Sequence, residues 1–179
     1  RARGPRRPVV VTSAMSGVTD DLERLIAWAR DGERGTVEST LDELLNRHVE
    51  AASSLSASPG AARQAVEDRI RELRVLLRGL RLVGVAMPSS IDALICFGEL
   101  LAQELVALAL RERGVDAVLV DAREVIVTDG RFGSARPDLE ATRGRAADRL
   151  APLVERGAVP VLGGYMGATT EGQPTTLGR

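Results

Sequence analysis

The pattern of apolar and polar positions predicts a strand, a loop and a helix in the first part of the chain. Pro8 to Ser13 is a run of mostly β-branched residues, which predicts a buried strand followed by a loop at 14–17. Asp20 and Asp21 then open a helix, because acidic side chains favour a helix N-terminus, and Gly32 ends it.

Apolar spacing predicts three more helices between Gly32 and Gly114. The first covers Val37 to about Ser53, and the third runs from Pro88 to Gly114. The second carries an apolar stripe at steps of three and four residues: Val66, Ile70, Leu73, Leu77 and Leu80. Because the third is apolar on every side, we expect it to be a central, buried helix.

After Gly114 the pattern changes to short apolar runs that alternate with a helix. Strands are predicted at Ala117–Val120, Val125–Thr128 and Val159–Leu162, and a helix at Pro137–Arg156. Strands that alternate with helices indicate an α/β fold with a mostly parallel sheet. The consecutive helices before Gly114 are then a helical insertion, and we expect one domain.

Composition excludes some classes of partner. The formal net charge is only -1, so the protein has no strong electrostatic potential of one sign, and neither a nucleic-acid nor a membrane partner is expected. No apolar run is expected to approach membrane-spanning length. Cys96 is the single cysteine, which excludes an internal disulfide, favours a cytoplasmic location and predicts a small buried hydrophobe. All basic residues other than His48 are Arg, and the sequence has no Lys.

A first candidate ligand loop, Thr12 to Asp20, is dense in hydroxyls and small residues and precedes a helix N-terminus. Such a loop can present N–H and O–H donors to an anion. The alternative, which the local pattern favours, is an ordinary turn in which Ser16 or Thr19 caps the helix.

A second candidate is Glu99, an isolated carboxylate in the most apolar predicted helix. Burial of an unpaired carboxylate costs several kcal/mol, so a cationic or donor partner is expected. That partner is either an Arg of the protein or the ammonium group of a ligand, and composition does not decide between them.

A third candidate is the segment from Gly163 to Thr170, followed by further hydroxyls and Arg179. Its glycines permit close backbone approach to a ligand, and Arg179 offers donors to a carboxylate or a phosphate. The spacing matches neither a Walker loop nor a dinucleotide-binding motif.

The remaining polar residues have simpler interpretations. His48 lies on an apolar helix face, which predicts a packed, hydrogen-bonded imidazole. Asp121, Asp129 and Asp138 lie near predicted element ends, where turn or cap chemistry is expected. No metal-ligand spacing is evident, so no metal site is predicted on the chain.

Four segments, in this order, resemble aspartate kinases of the amino-acid kinase superfamily. They are VVVTSAMSGVTD (Val9–Asp20), FGEL (Phe97–Leu100), VTDGRFGSA (Val127–Ala135) and GGYMGATTEGQPTTLGR (Gly163–Arg179). The resemblance implies a three-layer α/β/α sandwich with a mostly parallel sheet. It also implies transfer of the ATP γ-phosphoryl group to the side-chain carboxylate of L-aspartate, the first step of lysine, threonine and methionine biosynthesis.

The same resemblance implies roles for particular residues. Glu99 would pair with the α-ammonium of aspartate, and Arg179 would bind a substrate carboxylate. The other implied contacts are Thr19 with aspartate, Ser13 beside the reacting groups, Phe132 and Gly133 in the site wall, and Gly163, Gly164 and Gly167 with the nucleotide. ATP and Mg²⁺ are the implied cofactors, and the parent enzyme is expected to be a homo-oligomer.

The chain also departs from the family's pattern. Aspartate kinases begin with a Lys-Phe-Gly-Gly strand and turn that holds ATP phosphates, and they continue past the position of Arg179 into a nucleotide-binding half and ACT domains. We therefore expect residues 1–179 to be part of a catalytic domain, inactive alone, with its catalytic residues unknown. The alternatives are another amino-acid kinase, acting on glutamate or a carbamate, and a non-catalytic binding or assembly module.

Overall fold

Five helices separate the first two strands of the main sheet in the computed structural model, which describes residues 8–56 and 58–178. The strands are β1 Val10–Thr12, β2 Ala117–Leu119, β3 Val159–Gly163, β4 Met166–Ala168 and β5 Pro174–Thr176. The helices are α1 Val18–Asp31, α2 Arg34–Leu55, α3 Gly60–Val83, α4 Pro88–Ile95, α5 Phe97–Arg111, α6 Leu139–Arg149 and α7 Ala151–Glu155.

The main sheet is parallel throughout and has the strand order β1-β3-β2. Val11 pairs with Leu162 of the central strand, and Leu119 pairs with Val161. Helix α5 packs against all three strands. These features confirm the predicted α/β class with a parallel sheet and a helical insertion.

The helical insertion packs around α3 as its apolar stripe predicts. All five stripe residues are buried, and α3 contacts α1, α2 and α5. The C-terminal ends of α1 and α3 are closed by Gly32 and Gly84 in the left-handed conformation, which glycine adopts without steric strain. Gly32 ends α1 where the sequence predicts.

The predicted helix from Pro88 to Gly114 is two helices that meet at Cys96. There the Glu99 amide donates to the Cys96 carbonyl three residues earlier, a tighter spacing than the α-helical one. The stretch Pro88–Arg111 is long and apolar enough to span a membrane, so the expectation that no run approaches that length is wrong. Most of this stretch is buried inside the protein, as expected of a core helix.

Two other predicted elements differ from the structure. Val125–Thr128 is not a strand, because its backbone groups bond to separate segments: Val127 and Thr128 form only isolated bridges, to Ala168 and Pro137. The helix predicted at Pro137–Arg156 is divided into α6 and α7 at Leu150.

Cys96 is buried between α4 and α5, and this burial raises the pKa of its thiol to about 12. The thiol therefore stays protonated at neutral pH and packs as a small hydrophobe, as the sequence predicts.

His48 is fully buried on α2, and its Nδ1 atom lies 2.7 Å from the carbonyl oxygen of Leu44. Because a carbonyl only accepts hydrogen bonds, Nδ1 carries the proton. The other ring nitrogen, Nε2, is buried and has no hydrogen-bond partner in the part of the chain that the structure describes. The predicted packed, hydrogen-bonded histidine is confirmed.

We expect acid to destabilise the fold through His48. Burial lowers the pKa of the imidazole below its ordinary value of 6.5, and the bond to Leu44 offsets only part of this effect. The unfolded chain therefore takes up a proton that the folded chain resists. Stability is complete above the unfolded pKa and falls as the pH drops below it towards the folded pKa, by up to about 1.4 kcal/mol per pH unit.

Urea unfolding at about pH 7.5 and about pH 5 measures this loss. The His48→Gln variant, whose side-chain amide does not titrate, should lose less stability than the wild type over the same interval. Equal losses in the two proteins would show that His48 does not contribute.

Candidate substrate site

Glu99 joins two loops that are far apart in the sequence. It is the third residue of α5 and only 3% exposed. Its Oε1 atom accepts a hydrogen bond from the Ala14 amide at 3.2 Å, in the loop after β1. Its Oε2 atom accepts one from the Tyr165 amide at 2.8 Å, in the loop between β3 and β4. One buried carboxylate therefore holds together the first, second and fourth of the segments that resemble aspartate kinases.

The expected partner of Glu99 is thus a pair of backbone amides. No Arg among residues 8–56 and 58–178 forms an ion pair with it. A carboxylate has about four lone-pair sites, so two remain after the amides of Ala14 and Tyr165 are bound. Glu99 can therefore still accept hydrogen bonds from a cationic ligand.

Two glycines make room for this arrangement. A Cβ atom at Gly163 would lie 2.8 Å from both Cβ and Oε2 of Glu99. A Cβ atom at Gly98 would lie 2.9 Å from the Cβ of Ala14. Carbon atoms do not approach this closely without displacement, so α5 can contact β3 and the loop after β1 only where the side chain is absent.

The other two glycines assigned to the nucleotide also lie against protein atoms. A Cβ atom at Gly164 would lie 2.7 Å from Cγ1 of Val11, and one at Gly167 would lie 2.8 Å from the carbonyl oxygen of Ile126. Packing is therefore a sufficient reason for glycine at both positions. Their contact with ATP, like that of Gly163, stays a prediction.

Asp92 is a second buried carboxylate, which the sequence analysis missed. It lies on α4 and is 2% exposed. It accepts hydrogen bonds from the Gly133 amide at 2.9 Å, from the Thr176 amide at 2.8 Å and from the Thr176 hydroxyl at 2.9 Å. Like Glu99, Asp92 is an isolated acidic residue in an apolar stretch of the sequence, so the same pattern could have identified it. Asp92 connects the third and fourth of the resembling segments.

A surface cleft of about 350 Å³ opens where these segments meet. The residues around it include Asp92 and Ile95 of the α4 helix, Gly133, Tyr165 and Thr176. Tyr165 connects this cleft to Glu99, because its amide donates to that carboxylate, whereas Glu99 itself is not among the residues around the cleft.

Four other predicted site residues either do not line the cleft or lie outside the residues that the structure describes. Ser13 is exposed, Thr19 and Phe132 are partly buried, and none of the three is among the residues around the cleft. Arg179 lies outside the described residues. The predictions for these four residues stay predictions.

The N-cap of α1 is Gly17, with φ +79° and no side-chain cap. The interpretation in which Ser16 or Thr19 caps this helix is therefore wrong. The carbonyl of Ser16 instead accepts a hydrogen bond from Arg47 at 2.6 Å.

The three aspartates assigned to turns and caps have those roles. Asp138 accepts from the first amides of α6, Asp121 accepts from the Arg123 amide, and Asp129 accepts from the amides of Arg131 and Arg136. In the described parts of the chain, no three His, Cys, Asp or Glu side chains are grouped so that they could hold a metal ion.

The fold and the motif segments agree with the comparison to known proteins. The profile of the amino acid kinase family matches residues 1–179, and the chain belongs to this family. Within it, the lysine-sensitive aspartokinase 3 of Escherichia coli K12 is 34% identical over 171 residues, which cover 96% of this chain and 36% of that protein. Aspartokinase 1 of Arabidopsis thaliana chloroplasts is 31% identical, over 30% of its own length.

Solved structures give the same result. The structure of E. coli aspartokinase III in complex with aspartate and ADP matches with a TM-score of 0.85, covering 96% of this chain and 37% of that one. Clostridium acetobutylicum aspartate kinase, at 19% identity and a TM-score of 0.66, supports the fold alone. These findings confirm the resemblance to aspartate kinases. The chain spans little more than a third of the E. coli relative.

Proposed function

We propose that this chain is part of an aspartate kinase and carries the portion of the active site that binds L-aspartate. The reaction transfers the γ-phosphoryl group of ATP to the side-chain carboxylate of L-aspartate and yields 4-phospho-L-aspartate and ADP. The observation that carries the proposal is the buried Glu99 carboxylate, which joins the loop after β1 to the loop after β3, where Tyr165 lines the cleft.

The chemistry of Glu99 suits the ammonium group of an amino acid. Its two bound amides are neutral, so its negative charge still favours a cation in the adjacent space, and low solvent exposure strengthens that attraction. We assign the substrate carboxylates to the guanidinium of Arg179 and the hydroxyls of Ser13 and Thr19. A relative of known structure is a complex with aspartate and ADP, which supports this class of ligand.

We place most of the contacts to ATP and Mg²⁺ in the remainder of the longer enzyme. The described residues include no cluster of acids suited to a metal ion, and Gly163, Gly164 and Gly167 already face protein atoms. ATP supplies the transferred phosphoryl group. The role of this chain is to bind aspartate and orient its side-chain carboxylate, since phosphoryl transfer depends mainly on positioning and charge stabilisation. We also propose that the longer enzyme is a cytoplasmic homo-oligomer. Its reaction would be a step of lysine, threonine and methionine biosynthesis.

The activity is tested in the longer protein that contains this chain. We expect ADP release that depends on L-aspartate, together with an acyl phosphate that hydroxylamine traps as the hydroxamate. L-Glutamate should support neither, and residues 1–179 alone should show no turnover. Equal activity with glutamate would favour a different amino-acid kinase. Aspartate binding without ADP release would favour the non-catalytic module.

A further inference from the structure

We propose that Asp92 is a positioning residue for aspartate binding, because it fixes two walls of the cleft at once; this inference rests on the proposed function. The two walls are the turn that contains Gly133 and the strand β5 that contains Thr176. Both belong to segments that resemble aspartate kinases, whereas Asp92 itself lies outside all four.

Asp92 forms hydrogen bonds to two separate parts of the chain. Its Oδ2 atom accepts from the Gly133 amide at 2.9 Å and from the Thr176 amide at 2.8 Å. Its Oδ1 atom accepts from the Gly133 amide at 3.1 Å and from the Thr176 hydroxyl at 2.9 Å. Each carboxylate oxygen therefore bonds to both walls, and the spacing between the walls depends on this one side chain.

The turn at Gly133 needs such an anchor. Gly133 has φ +78°, in the left-handed region, and the turn is exposed at Arg131, Gly133 and Ser134, with Phe132 partly buried. An exposed turn has few packing contacts to hold it, so a buried anchor has a large effect on its position. The anchored amide directly follows Phe132, for which the resemblance implies a place in the site wall.

The second wall is held by the same carboxylate and also bonds to the first. The Thr176 carbonyl accepts a hydrogen bond from the Ala135 amide at 2.9 Å, which ties β5 to the residues after the turn. Thr176 stands three residues before Arg179 in the sequence. Asp92 thus fixes both the wall at Gly133 and the wall at Thr176.

The test is Asp92→Asn in the longer enzyme. In Asn an NH2 group replaces one of the two oxygens, each of which bonds to both walls, so the Gly133 amide loses one acceptor, and the remaining bonds lose the negative charge that strengthens them. Both walls are then held less firmly. We expect the KM for L-aspartate to rise roughly tenfold, while kcat and the KM for ATP stay within about twofold. A change confined to the KM for aspartate indicates a displaced binding site. A general loss of folded enzyme would instead lower the apparent kcat and leave both KM values unchanged.

Two further variants provide the controls. Thr176→Val removes only the hydroxyl donor, so the KM for aspartate should rise by roughly threefold, and the double variant should be no worse than Asp92→Asn alone. Asp121→Asn changes a half-buried carboxylate that bonds to Arg123, away from the cleft. It should lower thermal stability and leave the KM for aspartate unchanged.

The outcomes separate this inference from the proposed function. If the wild type is active and Asp92→Asn lowers only the melting temperature, Asp92 is merely structural and the inference is overturned, whereas the proposed function stands. If Asp92→Asn does not fold, Thr176→Val decides, and an unchanged KM for aspartate overturns the inference. Absence of any aspartate-dependent turnover in the wild type overturns the proposed function, and the positioning role with it.

Discussion

Replacement of Glu99 by Gln in the longer enzyme is expected to raise the KM for L-aspartate at least roughly tenfold and to lower the free energy of unfolding by about 1–3 kcal/mol. A carboxylate accepts hydrogen bonds on both oxygens, whereas the side-chain amide of Gln has a donor on one side. That donor must face the amide of Ala14 or of Tyr165, so one of the two loops loses its anchor. The charge that attracts the substrate ammonium is lost as well.

Glu104→Gln is the matched control, because Glu104 lies on the same helix and is also buried. Its carboxylate is 3.5 Å from the guanidinium of Arg69, and burial raises its pKa. Replacement by a neutral amide removes this ion pair, which is not at the cleft, so stability should fall while the KM for aspartate stays unchanged. Equal effects at Glu99 and Glu104 would contradict a specific role for Glu99.

Replacement of Gly163 by Ala is expected to have the second large effect. The added methyl group would lie 2.8 Å from Cβ and Oε2 of Glu99, at a place where α5 packs against the central strand. Either the strand or the Glu99 side chain must move, which lowers the free energy of unfolding by about 1–3 kcal/mol. Because the displaced atom belongs to the proposed ligand of the ammonium group, kcat/KM for aspartate should fall more than roughly tenfold.

Gly144→Ala is the control for this second prediction. Gly144 lies within α6, and a Cβ atom there would meet nothing within 4 Å. Alanine is favoured over glycine in a helix interior, so this variant should gain about 0.5–1 kcal/mol of stability. Thermal unfolding and aspartate saturation curves measure both effects. Wild-type kinetics in Gly163→Ala would show that the close contact with Glu99 does not define the site.

The helices were predictable because their burial follows a local period. The stripe of α3 and the glycine that ends α1 depend on residues within one or two turns, and the structure places both as expected. The two helices that meet at Cys96 were merged, because nothing in their apolar composition indicates the tighter bond at Glu99.

The site was only partly predictable because its contacts are long-range. The isolated acid at Glu99 was recognisable, but its donors lie 85 and 66 residues away, in loops whose proximity depends on the fold. Asp92 carried the same local signal and was missed. Its partners are likewise distant, at 41 and 84 residues.

The short hairpin β4–β5 was also missed, because its glycines and threonines favour a ligand loop as strongly as they favour strands. The structure shows that Gly167 of this hairpin lies against the backbone at Ile126. Glycines and threonines are therefore compatible with close packing between segments as well as with ligand binding. Which of the two applies depends on the residues that the fold places beside them.

A crystal structure of the longer enzyme with bound L-aspartate tests the central claim most directly. We expect the substrate to lie in the cleft beside Gly133, Tyr165 and Thr176, with its α-ammonium group within hydrogen-bond distance of the Glu99 carboxylate. Aspartate bound elsewhere, with Glu99 contacting only the amides of Ala14 and Tyr165, would contradict it.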